Sequence, residues 1–125
     1  KSKNIVHLVF VTKYRRPVFT DQMLKDCEDI MRKICSDLSV VMHEFGGESD
    51  HVHLMVQIPP TVAIASIVKR LKGSSSQFLR GKYWVHIRQW LWGKFFWSPS
   101  YCCVSCGGAS IEKVREYIEN QDRPS

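Results

Sequence analysis

Asp50-His51-Val52-His53-Leu54-Met55-Val56-Gln57-Ile58 alternates cleanly, with every second residue from Val52 onward β-branched or leucine. Val52, Leu54, Val56 and Ile58 share one parity, while His51, His53, Met55 and Gln57 share the other. Side chains on a strand point alternately to its two faces, so this stretch is a strand with one core face and one polar face. The polar face carries two imidazoles two residues apart, roughly 6–7 Å along the strand. Two neutral histidines at that spacing can converge on one metal ion if a third ligand arrives from elsewhere. They can equally be two polar residues facing solvent, and the spacing alone leaves both readings open.

Working outward, Val40-Val41-Met42-His43-Glu44-Phe45 reads as a preceding strand, with Gly46-Gly47-Glu48-Ser49 as turn chemistry between them. The two form an antiparallel hairpin that Pro59-Pro60 closes. Ile5-Val6-His7-Leu8-Val9-Phe10-Val11 is β-branched and almost wholly apolar, as a central strand should be. Thr20 caps a helix in which Met23, Leu24, Cys27, Ile30, Met31, Ile34 and Leu38 recur at helical spacing, with Phe19 and Leu24 as a hydrophobic staple. Thr61 caps a second helix with Ile64, Ile67, Val68, Leu71 and Phe78 inward, which Gly73-Ser74-Ser75-Ser76 weakens midway. Residues 82–99 read as an irregular, aromatic-rich packed connection. Tyr101 to Cys106 is a fourth strand, and after Gly107-Gly108 a last helix spans Ser110 to Gln121. The order strand, helix, strand, strand, helix, strand predicts an α+β, ferredoxin-like fold. Its four-stranded antiparallel sheet has helices on one face and an appended C-terminal helix.

The 125 residues fit a single domain spanning 1–125, large enough for a real core. A net charge of +6 and a pI near 9.2 favour an anionic partner, nucleic acid above all. Two basic patches focus that charge. Lys13, Tyr14, Arg15 and Arg16 combine cations with a flat ring; Lys69, Arg70 and Lys72 line the second helix. The five cysteines are an odd number, and neither a secretory signal nor an 18-residue apolar run is present. That argues for a cytoplasmic protein with reduced thiols and no membrane partner. Cys102, Cys103 and Cys106 lack a second Cys or His pair at zinc-like spacing, so they are expected to fill a buried strand as small hydrophobes.

On the last helix, Tyr117 and Gln121 are four residues apart and share a flank. A helix-flank tyrosine is commonly a packing residue. A tyrosine can also attack a phosphodiester where a nearby cation polarises the phosphate, and a glutamine carbonyl one turn away is a suitable third metal ligand.

The ordered set of motifs resembles the small single-tyrosine transposases of bacterial and archaeal insertion sequences, members of the His-hydrophobe-His nuclease superfamily. It comprises residues 7–19, Asp50-His51-Val52-His53-Leu54, residues 67–73, Leu91-Trp92-Gly93, Trp97-Ser98-Pro99-Ser100-Tyr101, Gly107-Gly108 and Tyr117-Ile118-Glu119-Asn120-Gln121. The resemblance implies His51, His53 and Gln121 as ligands of a divalent metal, Mg²⁺ or Mn²⁺, with Tyr117 as nucleophile. It further implies a homodimer acting on single-stranded DNA hairpins at element ends. Gly107 and Gly108 would be the hinge that docks the tyrosine helix on the partner subunit. The cysteines at 102, 103 and 106 depart from the aromatic or aliphatic residues more usual there. A domesticated relative that processes chromosomal repeat hairpins, and a non-catalytic nucleic-acid-binding domain on the same fold, remain as alternatives. A nucleotide hydrolase of the His-x-His-x-His type does not, because position 55 is methionine.

Overall fold

In the computed structural model, which describes residues 4–105 and 110–121, four strands form one antiparallel sheet in the order β2-β3-β1-β4. They are β1 (Ile5–Val11), β2 (Val41–Glu48), β3 (His51–Gln57) and β4 (Cys102–Ser105). The helices are α1 (Asp21–Asp37), α2 (Ile64–Lys82), a single turn α3 (Trp84–Ile87) and α4 (Ser110–Asn120). This is the expected α+β, ferredoxin-like arrangement. No helix among the described residues is long and apolar enough to cross a membrane.

The inner face of the sheet carries Val6, Leu8 and Phe10 from β1 and Val52, Leu54 and Val56 from β3, all buried. Against it pack Met23, Cys27, Met31 and Ile34 of α1 and Ile67, Leu71 and Leu79 of α2. The Thr20 side chain accepts from the Met23 N–H, as expected of the cap. Met42 and Phe45 both pack inward although their parities differ. A bulge between Met42 and Glu44 absorbs the extra residue and returns the pattern to register.

Several local expectations need correction. Gly46 and Gly47 lie inside β2, not in the turn, which is made by Ser49 and Asp50. Their reason is close approach: a Cβ on Gly47 would stand 2.6 Å from the His51 carbonyl oxygen. The second helix starts at Ile64 with Ala63, not Thr61, at its cap, and it runs unbroken through Gly73–Ser76. There Ser75 is buried, donating to the Lys72 carbonyl and accepting from the Trp97 indole N–H, so packing overrides weak propensity. Phe78 faces out, with the Lys82 ammonium over its ring. β4 is a short edge strand on which Cys102 and Cys103 are only half-buried, so they do not fill a buried strand. The cysteine at 106 and the glycine pair at 107 and 108 lie outside the described residues. The 82–99 connection contains α3 and is packed only in part, since Phe96 and Trp97 are buried whereas Trp92 and Phe95 are exposed.

Candidate active site

β3 pairs with β1 so that His51 faces Val11 and His53 faces Val9. Paired residues share a face, and the apolar parity is committed to the core, so both histidines stand on the outer face. Their ring centroids are 6.4 Å apart. His51 is 9% exposed and its Nδ1 lies 2.9 Å from Asp50 Oδ1. A neutral imidazole donating Nδ1–H to that carboxylate keeps the Nε2 lone pair for a ligand. Asp50 Oδ2 in turn accepts from Arg15 Nε at 2.9 Å. Burial works to raise the Asp50 carboxyl, but the His51 and Arg15 hydrogen bonds outweigh it and hold its pKa below the ordinary range. Burial pushes the His53 imidazole down, helped by the neighbouring His51 and His7; Glu44 and Glu48 oppose the shift.

β2 shapes the other side of this pair. Gly46 is opposite His53, where an added Cβ would come within 2.7 Å of Nε2, and Glu48 is opposite His51. The glycine therefore makes room for the imidazole. A metal-bound imidazole has its ring centroid roughly 3.2 Å from the ion. The observed separation of 6.4 Å is thus at the limit one ion spans. The donor set of two imidazoles and a neutral oxygen fits a divalent cation with open positions.

Tyr117 and Gln121 come together over one serine, as their spacing predicts. The Tyr117 hydroxyl lies 3.0 Å from Ser100 Oγ, and Gln121 Oε1 accepts from both Ser100 Oγ and Ser98 Oγ at 3.1 Å. Ser98 sits beside β1, its N–H donating to the Val11 carbonyl at 2.8 Å, and Val11 is the residue paired with His51. The row His51–Val11–Ser98 therefore crosses the sheet in two strand spacings, roughly 10 Å between the His51 and Ser98 backbones, and Ser98 holds Gln121 at its far end. α4 rests on β4 and β1 of its own chain. Cys102, which pairs with Val9, feels the Lys113 charge, so α4 covers the outer face that bears the histidines. Val9 and Val11 are accordingly buried although they lie outside the main core cluster.

The basic residues divide. Lys69 and Arg70 are exposed. Lys72 is turned inward, donating to the carbonyls of Ser98 at 2.6 Å and Ser100 at 3.1 Å, and burial lowers its pKa. It braces the segment that holds Tyr117 and Gln121. Tyr14 and Arg15 both adopt left-handed backbone angles, with φ of 56° and 55°. Such angles are costly for non-glycine residues. The Thr12 hydroxyl donating to the Arg16 carbonyl, and the Arg15–Asp50 pair, hold them there. Sequence reading missed Asp50, Gly46, Glu48, Ser98 and Ser100 as parts of the site. Their roles depend on pairing across strands, although all five fall in or beside motifs already marked.

The family model described as transposase IS200 like matches residues 1–121. The chain is 32% identical over 115 residues to the ISDra2 transposase TnpA of Deinococcus radiodurans, covering 92% of this chain and 81% of that protein. It is 31% identical to the transposase for insertion sequence element IS200 of Salmonella typhimurium, covering 92% and 74%. A crystal structure from Deinococcus radiodurans described as a transposase superposes with a TM-score of 0.88 at 30% identity, over 98% of this chain and 94% of that one. A REP-associated tyrosine transposase bound to a REP hairpin shares the fold, with a TM-score of 0.63 at 11% identity over 93% and 62%. With nearly its whole length matched and the paired histidines, tyrosine and glutamine on one face of the sheet, this chain belongs to the IS200-like transposase family.

Proposed function

We propose that this protein cleaves and rejoins single-stranded DNA at the ends of an insertion sequence, through a covalent link to Tyr117, after recognising a DNA hairpin. The observation that carries the reading is the shared outer face, with His51 and His53 on β3 and Tyr117 with Gln121 on α4 above it. His51, His53 and Gln121 would hold a divalent cation, Mg²⁺ or Mn²⁺. When bound, that cation supplies positive charge to a non-bridging phosphate oxygen. Asp50 orients His51 for this, and Gly46 leaves His53 its place.

The Tyr117 oxygen attacks phosphorus, forming a P–O bond as the bond to the 3′ oxygen breaks. The 3′ oxygen leaves as a hydroxyl, taking up one proton for the one that the Tyr117 hydroxyl gives up on attack, and the 5′ phosphate stays on Tyr117. Because the ester conserves the bond energy, a 3′ hydroxyl can attack it in reverse and rejoin strands without a nucleotide cofactor. Lys13 to Arg16, with Lys69 and Arg70, would contact phosphates. The hairpin-bound relative and the net charge of +6 support a hairpin as the DNA partner. We place the protein in the cytoplasm, acting as a homodimer whose α4 helices exchange between subunits, although α4 rests on its own sheet in this single chain.

Tyr117→Phe removes only the nucleophilic oxygen. Covalent capture of DNA, seen as a mobility shift on a denaturing gel, is expected to vanish while the fold survives. A persistent adduct would assign the attack elsewhere, with Tyr101 or Tyr83 next in line. Subunit exchange is tested by mixing inactive Tyr117→Phe and His51→Ala proteins. Recovered cleavage, labelling only the His51→Ala chain, supports a site shared between subunits, and no recovery after verified exchange refutes it.

A further inference from the structure

Leu91-Trp92-Gly93-Lys94-Phe95-Phe96-Trp97 puts four large aromatic side chains within six residues, and the fold treats them differently. Phe96 packs edge-on against both Phe19 and Trp97 in the core, and Trp97 meets Phe19 at a tilt. The Lys13 N–H donates to the Phe96 carbonyl at 2.9 Å, and Trp97 bridges to Thr12, so the segment is pinned to the end of β1. Trp92 and Phe95 are thereby held outside, 72% and 61% exposed, beside Tyr14 at 46%.

Cations interleave these rings. Arg16 lies 5.7 Å from the Trp92 centroid and 6.0 Å from that of Tyr14, and Lys13 lies 5.0 Å from Tyr14 and 5.8 Å from Phe95. Lys94 adds a third cation at 5.8 Å from Phe95. The cleft between them measures about 240 Å³ and is lined by Lys13, Tyr14, Trp90, Trp92 and Phe95 among others, with no acidic side chain. Small-molecule pockets begin at roughly 300 Å³, so the cleft suits one flat heterocycle better than a cofactor. Among the described residues, the buried side-chain donors left without an acceptor are Arg16 Nε and Trp90 Nε1; Trp90 lines this cleft, and the Arg16 guanidinium lies over the Trp92 ring beside it.

A second recess, of about 390 Å³, shares Lys13 and Phe95 with the first and continues past Lys72 to Ser98. Ser98 Oγ is bonded to Gln121. A cationic, aromatic path therefore runs from the Trp92 cleft to the segment that holds Tyr117.

We infer that Trp92, Tyr14 and Phe95 form a stacking site for an unpaired base of the strand being cut, with Lys13, Arg16 and Lys94 on its phosphates. This rests on the DNA-cleaving reading of the Tyr117 site, and adds where the single strand lies. Flat apolar faces among cations match a base on a phosphate chain, because stacking accepts any base and the cations accept any phosphate. A second copy of this chain, or another protein, would leave three cations facing its surface without an acid on this side to balance them.

The test uses two labelled single strands of equal length, an oligothymidylate and an abasic backbone, with binding read by fluorescence anisotropy. Wild type is expected to prefer the oligothymidylate by about tenfold or more. Trp92→Ala should erase most of that preference and leave the affinity for the abasic strand unchanged. Trp92→Phe, which keeps a ring, should retain most of it. Phe95→Ala gives an independent reading should Trp92→Ala fail to fold. Equal binding of both strands by wild type, no binding of either, or an undiminished preference in both Ala variants overturns the inference. So does a loss of both affinities accompanied by dissociation of a dimer, which would make the cleft a protein interface. Covalent capture at Tyr117 separates this inference from the reading beneath it. Capture without base preference sinks the stacking site alone; base preference without capture sinks the cleavage reading alone.

Discussion

Gly46→Ala should strike the histidine pair while leaving the fold nearly intact, whereas Gly47→Ala should cost stability. At position 46 the new Cβ would lie 2.7 Å from His53 Nε2 and 2.9 Å from Cε1. Non-bonded contacts settle at about 3.5 Å, so the imidazole must retreat by about 0.8 Å. His53 is only half-buried, so the ring can turn aside, and the stability lost is expected to stay below about 1 kcal/mol. Replacing a strand glycine returns about 0.5–1 kcal/mol, leaving the net change near zero. If His53 and His51 share a cation as proposed, a displacement of that size takes His53 out of the shared geometry. Metal affinity is therefore expected to fall by about 10–100-fold, the range seen when a ligand's supporting contacts are removed.

At position 47 the new Cβ would meet the His51 carbonyl oxygen at 2.6 Å, Leu24 Cδ2 at 3.0 Å and Val52 Cγ1 at 3.1 Å. None of these is the free end of an exposed side chain, so strands must shift, costing about 1–3 kcal/mol. That corresponds to a lowering of the melting temperature by about 4 °C per kcal/mol. Calorimetric titration with Mn²⁺ and thermal unfolding, run on both variants, read the two effects separately. Wild-type Mn²⁺ affinity in Gly46→Ala, or an unchanged melting temperature in Gly47→Ala, would refute the packing argument.

Asp50→Asn should destabilise the protein by about 1–2 kcal/mol at neutral pH through the weakened bonds to Arg15 and His51. Because the Asp50 pKa is depressed in the fold, its contribution is present above the ordinary carboxylate range and is lost as pH falls through the folded value. Denaturant melts of wild type and variant should therefore converge in acid, and a gap that persists there would contradict the linkage. Lys69→Ala and Arg70→Ala should each reduce the slope of log affinity against log salt by about 0.7 on single strands. Lys72→Ala should leave that slope alone and instead reduce capture by Tyr117, since its ammonium braces the Ser98 and Ser100 carbonyls; a changed slope would return Lys72 to the DNA surface. The Cys27 thiol is buried and pushed far above its ordinary range by that burial, and Cys35 is raised to about 11. Alkylation of native protein followed by mass spectrometry should modify Cys102 well before Cys27, and comparable rates would show that the α1 packing is wrong.

The strands and their faces were legible in the residues because period-two alternation is a local property. Val52, Leu54 and Val56 leave His51 and His53 only one side to occupy. The Thr20 cap and the α1 stripe were equally local, and so was the Tyr117–Gln121 pair, since residues four apart on a helix must be neighbours. What failed was decided across strands. Gly46 and Gly47 have the composition of a turn, and only the pairing with His53 and Val52 shows that they are there for clearance. Gly73–Ser76 has the composition of a helix end, yet burial of Leu71, Ser75 and Leu79 carries α2 through it. Lys72 reads as one more surface cation until the Ser98 and Ser100 carbonyls are found over it. Trp92 and Phe95 differ from Phe96 and Trp97 in no local property, and the attachment of that segment to β1 alone decides which rings are buried. Local pattern determined which residues share a face, whereas long-range pairing, which no short window of sequence encodes, determined what each face meets.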